Sequence, residues 1–193
     1  MVRKIRYAHT IKSTLKTHYC QDIKNGMRVQ LSGWLAHKRQ IGKHLIFCAL
    51  RDETGTVQIK FTNVKLKDEL LNLNIESVIS VSGTVVKRPS DDVSLQKMGD
   101  LEVEADALKI LNHACDLPFS LKEASLNEET RLKFRHVDLR RQSMVENIRK
   151  RQEIVVLIRT SLEDFGFREF ETPLLFKSTP EGASEFLGMI QST

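Results

Sequence analysis

The chain has 193 residues, of which 40% are hydrophobic and 28% are charged, as in an ordinary globular protein of one large or two small domains. No apolar run approaches the roughly 18 residues of a membrane span, so we expect no membrane partner. The formal net charge of +5 favours an anionic partner only weakly, and three cysteines without a CxxC pair argue against a zinc site or a disulfide framework.

The N-terminus is basic and contains no acid over residues 1–21. This composition fits an organellar transit peptide, which predicts the mitochondrial matrix. It fits a short basic arm on a folded domain equally well, and a cytoplasmic protein is then the alternative. We assign residues 1–16 to a basic N-terminal arm.

Alternation of apolar and polar residues predicts β-strands through the first half of the chain. The predicted strands cover 27–35, 44–51, 56–62, 77–87 and 101–111, with a short helix over 64–73. Five strands with one helix between the third and the fourth is the order of an OB-fold barrel, although another small β-barrel or a sandwich remains possible. Gly33 and Gly83 lie inside strands, where glycine indicates bulges or barrel bends.

Beyond the fifth strand, residues 114–142 are predicted to form a linker or hinge. Asn127 is an acceptable N-cap for a first helix, and Ser143 and Glu146 are spaced as a capping box for a second. That second helix is predicted over 144–165, about 33 Å long, with Gly166 at its C′ position.

An apolar stripe runs along one face of the predicted long helix. Its members are Val145, Ile148, Val155, Ile158, Leu162 and Phe165. A single helix cannot bury such a stripe, so it needs a partner domain or subunit. Residues 167–172 are predicted to form a strand that ends at Pro173, which cannot donate to a ladder.

Basic and aromatic residues cluster where the first predicted strand meets the second. The cluster consists of Trp34, His37, Lys38, Arg39, Lys43, His44 and Phe47. Stacking on an aromatic ring combined with phosphate contacts from Lys and Arg is how OB-folds hold single strands. The alternative is that Trp34 and Phe47 belong to the core. Gln58 and Glu102 could read base edges, or could be ordinary surface residues.

A second basic tract runs from Arg131 to Arg151, and it fits either phosphate contacts or a solvated helical face. The six histidines show no metal-ligand spacing, and no phosphate-binding glycine motif is present, so we predict no metal site.

In order, these segments resemble the N-terminal part of class II aspartyl-tRNA synthetases of the bacterial and mitochondrial type, from about Thr17 to Leu187. The landmarks are Thr17-His18-Tyr19-Cys20, Gly33-Trp34, Leu45-Ile46-Phe47, Leu50-Arg51-Asp52, Val57-Gln58, 129–135, Asp138-Leu139-Arg140-Arg141, 166–173 and 178–183. The lysine and asparagine relatives share the barrel and the helix-strand-proline unit but differ at 179–182.

The resemblance implies a role for each matching residue. The barrel, residues 17–113, would bind the anticodon of the aspartate tRNA, with Phe47 stacking on a base. Arg39, Gln58, Arg88 and Glu102 would be its hydrogen-bonding or phosphate-contacting neighbours. The long helix and the segment ending at Pro173 look like motif 1, the homodimer interface of the family. Ser178, Thr179, Pro180 and Gly182 match a loop that flips over the amino-acid pocket, in which Glu181 would contact the substrate ammonium.

The chain also departs from the family. Ser184 stands where the family usually has Arg, the sequence diverges after Leu187, and the loop 88–99 is about one residue short. Family motifs 2 and 3, which bind ATP and its Mg²⁺, are absent. We therefore expect residues 143–193 to be a truncated start of the catalytic domain, with no catalytic residue in this chain.

The function implied is aspartate–tRNA ligation by the parent family, with this chain alone inactive. Two alternatives stay open: a non-catalytic module that binds tRNA or single-stranded nucleic acid, and a truncated product without function.

Overall fold

The computed structural model describes residues 14–43, 45–88, 100–123 and 125–173. The chain divides into two compact units, Met1–Phe119 and Ser120–Thr193. This division falls inside the stretch 114–142 that was predicted to be a linker, and the finer domain boundaries stay a prediction. Most of the predicted basic arm lies outside the described residues.

Five strands and one helix build the first unit. They are β1 Arg28–Ile41, β2 Leu45–Arg51, β3 Thr56–Phe61, α1 Val64–Leu71, β4 Val78–Lys87 and β5 Leu101–Asn112. The strands close into a barrel in the order β1-β2-β3-β5-β4. β3 and β5 are parallel, and the other neighbours are antiparallel. The predicted five-stranded OB-fold barrel is therefore confirmed.

Alternation along each strand decides which side chains fill the barrel. In β3, Val57, Ile59 and Phe61 are at most 1% exposed, and they alternate with the half-buried Gln58 and Lys60. Successive side chains of a strand point to opposite faces, so the polar residues lie on the outer surface. The same pattern in the other strands produces one continuous core.

Two glycines allow the barrel strands to approach closely. An ideal Cβ at Gly83 would lie 2.2 Å from the carbonyl oxygen of Glu104, and one at Gly33 would lie 2.3 Å from that of Arg51. The register of β4 on β5 shifts between Ser82 and Gly83, so the predicted irregularity at Gly83 is confirmed. At Gly33 a glycine is required because the backbone of Arg51 lies too close to leave room for a side chain.

The first strand is longer than predicted. β1 continues from Leu35 to Ile41, and its register on β2 shifts between Leu35 and His37. Such a bulge interrupts the alternation of apolar and polar residues, which is why the pattern ended the predicted strand early. The extension carries Arg39, one of the residues predicted to contact the anticodon, onto the sheet.

Helix α1 is fastened at both ends. The Asn63 side chain accepts a hydrogen bond from the backbone nitrogen of Lys65 at 3.0 Å. At the other end, Lys38 Nζ of β1 donates to the carbonyl oxygens of Leu71 and Leu73, at 2.5 and 2.7 Å. Burial lowers the pKa of Lys38. The bond to Leu71 satisfies a carbonyl that the helix end leaves without a partner, and both bonds tie α1 and the residues that follow it to the barrel.

Three helices form the described part of the second unit: α2 Glu128–Lys133, α3 Arg135–Asp138 and α4 Gln142–Asp164. The predicted N-cap of α2 is confirmed, because Asn127 Oδ1 accepts from the Thr130 backbone nitrogen at 2.8 Å. The predicted capping box is wrong: α4 begins at Gln142 with no side-chain cap. Glu146 instead accepts from Gln142 Nε2 at 2.8 Å, one helical turn away.

Helix α4 ends in the hydrogen-bond pattern of a Schellman motif. Gly166 has φ +89°, and its backbone nitrogen donates to the Glu163 carbonyl at 2.9 Å. The backbone nitrogen of Phe167 donates to the Leu162 carbonyl at 3.0 Å. The predicted role of Gly166 at C′ is confirmed.

The strand predicted over 167–172 is wrong, since this segment has no regular secondary structure. A strand needs a ladder partner, and within the described ranges none pairs with it. A side-chain contact holds the segment instead. Arg159 donates from Nε to Glu169 Oε2 and from a terminal guanidinium nitrogen to Glu169 Oε1, both at 2.8 Å.

The apolar side of α4 is exposed, and none of the helix residues is buried. Ile158 is 53% exposed, Leu162 46% and Phe165 81%. The predicted stripe is therefore present without a covering surface in the described part of the chain. No helix formed by the described residues has the length and apolarity that crossing a membrane would require.

Candidate nucleic-acid interface

Two cross-strand rows of side chains lie on the outer surface of the barrel. Arg39 of β1 pairs with Phe47 of β2, which pairs with Lys60 of β3, which pairs with Glu104 of β5; we call this the Phe47 row. His37, Ala49, Gln58 and Glu102 pair in the same order and form the Gln58 row. The two rows are two residues apart on every strand, so they share one face.

The Phe47 row combines an aromatic ring with charges. Phe47 is half-buried, while Arg39 is exposed. Lys60 Nζ lies 2.9 Å from Glu104 Oε1, and the two side chains are 27% and 52% exposed. The hydrogen bond that Lys60 donates to Glu104 raises the pKa of Lys60 against the opposing effect of burial, so the lysine is charged at neutral pH.

The Gln58 row is polar and more enclosed. Gln58 Nε2 donates to Glu102 Oε2 at 2.9 Å, and Glu102 is only 5% exposed. A carboxylate that accepts one amide hydrogen fixes the orientation of the glutamine. The second amide hydrogen and the carbonyl oxygen of Gln58 remain for a ligand. Ala49 lies between His37 and Gln58, and its small side chain leaves space above the sheet.

The structure thus brings together four of the five residues predicted to contact the anticodon: Phe47, Arg39, Gln58 and Glu102. The fifth, Arg88, directly follows β4, and its backbone nitrogen donates to the Asp100 carbonyl at 3.0 Å. Its buried Nε has no hydrogen-bond partner in the described residues. Residues 89–99 and His44 lie outside the described residues.

Trp34 belongs to a different part of the barrel surface. It is half-buried on the outward side of β1 and borders a cavity of about 370 Å³ that Lys16, Asp52 and Glu53 also line. Its ring centroid lies 5.9 Å from the Arg51 guanidinium carbon. Trp34 therefore lies outside the core cluster, so the interpretation as a core residue is wrong. It also lies outside the two rows, and its part in nucleic-acid binding stays a prediction.

Asp52 has a structural role beside this cavity. Its carboxylate accepts from the backbone nitrogens of Cys20, Thr54 and Gly55, at 2.8, 2.7 and 3.1 Å. These bonds shape the turn between β2 and β3 and fasten the segment before β1 to it. An oxygen pair engaged in this way is committed to the fold and not to a ligand.

In the second unit, three arginines converge on one buried carboxylate. Asp138 is 0% exposed and accepts from Arg135 at 2.8 Å and from Arg131 and Arg141 at 3.2 Å. Burial by itself raises the pKa of Asp138, but hydrogen bonds from Arg131 and Arg141 and the arginine charges outweigh it, so the pKa is lowered. This arrangement fixes the turn between α2 and α4.

The remaining predicted site residues stay untested. Ser178, Thr179, Pro180, Glu181 and Gly182 lie outside the described residues. Pro173 is exposed at the end of the described range. In the part of the chain that the structure describes, no group of three or more His, Cys, Asp or Glu side chains could hold a metal ion.

Sequence reasoning missed Lys60 and Glu104. Each lies two residues beyond a predicted contact residue, Gln58 and Glu102, and therefore on the same face of its strand. That spacing was the available signal. The contact between them could not be read from the sequence, because it joins residues 44 positions apart.

Two family models match the chain. Residues 22–111 match the OB-fold nucleic acid binding domain, and residues 127–192 match the class II tRNA synthetases (D, K and N). The first range covers the barrel strands and the two rows. The second covers the helices of the second unit and continues beyond the described residues.

Curated relatives match along 89% of the chain. The aspartate–tRNA(Asp/Asn) ligase of Natranaerobius thermophilus is 39% identical over 180 residues, and the aspartate–tRNA ligase of Staphylococcus aureus is 40% identical over 182. The aspartate–tRNA ligase of Staphylococcus carnosus is 41% identical over 181 residues. The chain spans 31% of the length of each of these relatives.

Solved structures share the fold. The asparaginyl-tRNA synthetase of Pyrococcus horikoshii complexed with asparaginyl-adenylate superposes with a TM-score of 0.74 at 25% identity, covering 86% of this chain and 38% of that one. A putative aspartyl-tRNA synthetase from Leishmania major gives a TM-score of 0.74 at 24% identity, covering 87% and 36%.

Proposed function

We propose that the barrel of this chain, which is 39–40% identical to aspartate–tRNA ligases along 89% of its length, binds the anticodon loop of the aspartate tRNA. One observation carries this proposal: Phe47, Arg39, Gln58 and Glu102, separated along the sequence, lie in two adjacent rows on one face. An aromatic ring flanked by cations and by a fixed amide has the chemistry that binds single-stranded RNA.

Each row contributes a different interaction. Phe47 stacks on an unpaired base, and Arg39 contacts the backbone phosphate beside it. Gln58, held by Glu102, presents one donor and one acceptor. A uracil edge has the complementary N3–H donor and O4 acceptor, which fits the central base of a GUC anticodon. Glu102 accepts from an exocyclic amine where a base offers one.

The test is the affinity of the full chain for a synthetic stem-loop that carries the GUC loop. Phe47→Ala should weaken binding by about 1–3 kcal/mol, or roughly 5- to 150-fold, because one stacking partner is lost. Gln58→Ala should reduce discrimination against a loop with a changed central base. Gln30→Ala is the matched control, since Gln30 is also half-buried but pairs with Ser82 of β4, away from both rows.

A second candidate function is binding of single-stranded nucleic acid without regard to sequence. It is favoured by the stacking ring and the flanking cations, because every base has a face on which to stack. Equal affinity for the GUC loop and for a loop of scrambled sequence would select this alternative over anticodon recognition.

For the whole protein we propose ATP-dependent attachment of aspartate to its tRNA, with Mg²⁺ at the phosphates. Glu181 would hold the substrate ammonium within the loop 178–182. In the full-length protein, Glu181→Gln should therefore raise the KM for aspartate in aspartate-dependent ATP–pyrophosphate exchange and leave the KM for ATP unchanged. An unchanged KM for aspartate would remove Glu181 from the pocket.

We also propose that the exposed stripe of α4 packs against a second copy of the chain. The support is the exposure of Ile158, Leu162 and Phe165 on a helix without a buried residue. Sedimentation should show a dimer that Ile158→Asp dissociates, because a charge in an apolar interface is costly. A wild-type chain that sediments as a monomer at all concentrations would reject this association.

A further inference from the structure

The Phe47 row places a cation on each side of one aromatic ring. Arg39 is the cross-strand neighbour of Phe47 on β1, and Lys60 is its neighbour on β3. Neighbouring strands lie about 4.8 Å apart, so both side chains can reach a phosphate next to a base stacked on the ring. Lys60 was not among the residues predicted to contact the anticodon, and it lies on the outer surface of the barrel and not in the core.

The two cations are not equivalent. Arg39 has no hydrogen-bond or ion-pair partner in the described ranges, whereas Lys60 Nζ is held 2.9 Å from Glu104 Oε1. Glu104 is 52% exposed, so a carboxylate stands on the surface that a polyanion would approach. Arg39 can therefore bind RNA directly, whereas the Lys60 ammonium is already paired with the Glu104 carboxylate.

Resting on the proposed contact between the barrel and RNA, we propose that Lys60 binds the phosphodiester beside the base stacked on Phe47 and that Glu104 competes for the Lys60 ammonium. The ligand is a single-stranded RNA backbone. The Lys60–Glu104 pair sets the affinity of the barrel for RNA and the dependence of that affinity on salt. The Gln58 row reads the bases.

The exchange follows from the geometry of the pair. When RNA is absent, the ammonium donates to the Glu104 carboxylate. When a phosphate arrives, the ammonium turns to it, and the exposed carboxylate becomes hydrated. Lys60 therefore contributes less binding free energy than an unpaired lysine would. In addition, the Glu104 carboxylate repels the phosphate. Both effects make Glu104 a residue that lowers affinity.

The experiment measures dissociation constants of the full chain for the GUC stem-loop between about 50 and 300 mM NaCl. Lys60→Gln should reduce the slope of log K against log salt by about 0.7, the release expected for one single-strand contact, and weaken binding roughly fourfold near 0.15 M. Glu104→Gln should tighten binding by a similar factor. Lys60→Arg should keep the slope of the wild type.

The double variant separates the two effects of Glu104. If the carboxylate competes for Lys60, Glu104→Gln tightens binding more in the wild-type background than in the Lys60→Gln background. Lys109→Gln is the matched charge control: Lys109 is exposed on β5, pairs with Ser80, and lies about 16 Å along the strand from Glu104. It should change affinity and slope less than Lys60→Gln does.

The outcomes distinguish this inference from the proposed function. Stem-loop binding that is lost in Phe47→Ala but unchanged in Lys60→Gln and Glu104→Gln overturns the role of the pair and leaves anticodon binding standing. A Glu104→Gln variant that binds more weakly also overturns it. Wild-type chain that does not bind the stem-loop overturns both. Circular dichroism of each variant shows that the barrel is folded before its affinity is interpreted.

Discussion

Closure of the barrel depends on a glycine opposite the strand that carries Glu104, and Gly83→Ala tests this dependence. The added Cβ would lie 2.2 Å from the Glu104 carbonyl oxygen and 2.9 Å from both its carbonyl carbon and Val103 Cγ1. Ordinary contact begins near 3.4 Å, so β4 and β5 must separate locally by about 1.2 Å. The obstacle is backbone, which cannot rotate away as a side chain can.

We expect Gly83→Ala to destabilise the barrel by about 3 kcal/mol, the upper end for inserting an atom into a packed site. For a domain of this size, that corresponds to a loss of about 12–24 °C in Tm. Trp34 is the only tryptophan and lies in β1, so its fluorescence during urea unfolding reports on the barrel within the full chain. Gly55→Ala is the control, because nothing lies within 4 Å of its Cβ position.

A double variant locates the clash. Val103→Ala removes the neighbouring side-chain atom but leaves the carbonyl oxygen in place, so it should not rescue Gly83→Ala. If Gly83→Ala unfolds within about 0.5 kcal/mol of Gly55→Ala, or if Val103→Ala restores its stability, then the close approach of β4 and β5 does not control closure.

Two further predictions concern buried or partly buried charges. Lys38→Met should destabilise the barrel by about 1–3 kcal/mol in the same urea assay, because two carbonyls at the end of α1 lose their donor; a change below about 0.3 kcal/mol would contradict this. Asp138→Asn should lower the helical stability of the second unit at pH 7, measured by circular dichroism. Since the folded pKa of Asp138 is lowered, its carboxylate stabilises the fold above the unfolded pKa near 4 and ceases to do so as the pH falls through the folded value. The difference between wild type and variant should therefore vanish in acid, and a difference that is independent of pH would contradict the arginine cluster.

Local patterns in the sequence were sufficient for the barrel elements and for the caps at Asn127 and Gly166. These features depend on residues close together in the chain, and their chemistry is the same wherever they occur. The end of β1 was misplaced because a bulge breaks the alternation on which strand prediction depends. The predicted capping box failed because the spacing of Ser143 and Glu146 does not determine which residue Glu146 contacts. Glu146 accepts from Gln142 instead.

The predicted strand at 167–172 failed for a different reason. Strand propensity describes how a segment fits a sheet, and it does not supply the neighbouring strand. In the described part of the chain, residues 167–173 are held to α4 by the Schellman motif and by the Arg159–Glu169 contact. The long helix was predictable because its hydrogen bonds are internal to it, whereas the strand depends on residues elsewhere.

The candidate interface likewise depends on contacts between residues that are far apart in the sequence. Phe47 and Gln58 could be nominated one by one, because an aromatic and an amide on strands have recognisable chemistry. Their meeting with Glu102, and that of Lys60 with Glu104, depends on the parallel register of β3 on β5. A shift of one residue in that register would turn Glu102 and Glu104 into the core and place Val103 beside Gln58. On its other edge, β5 pairs with β4 in a separate register that puts the Glu104 carbonyl against Gly83, so the residue that pairs with Lys60 also lies where β4 and β5 approach closely. A substitution that disturbs closure should consequently lower RNA affinity even where every contact residue is retained, and affinity losses can be assigned to Lys60 or Glu104 only in variants whose unfolding midpoint is unchanged.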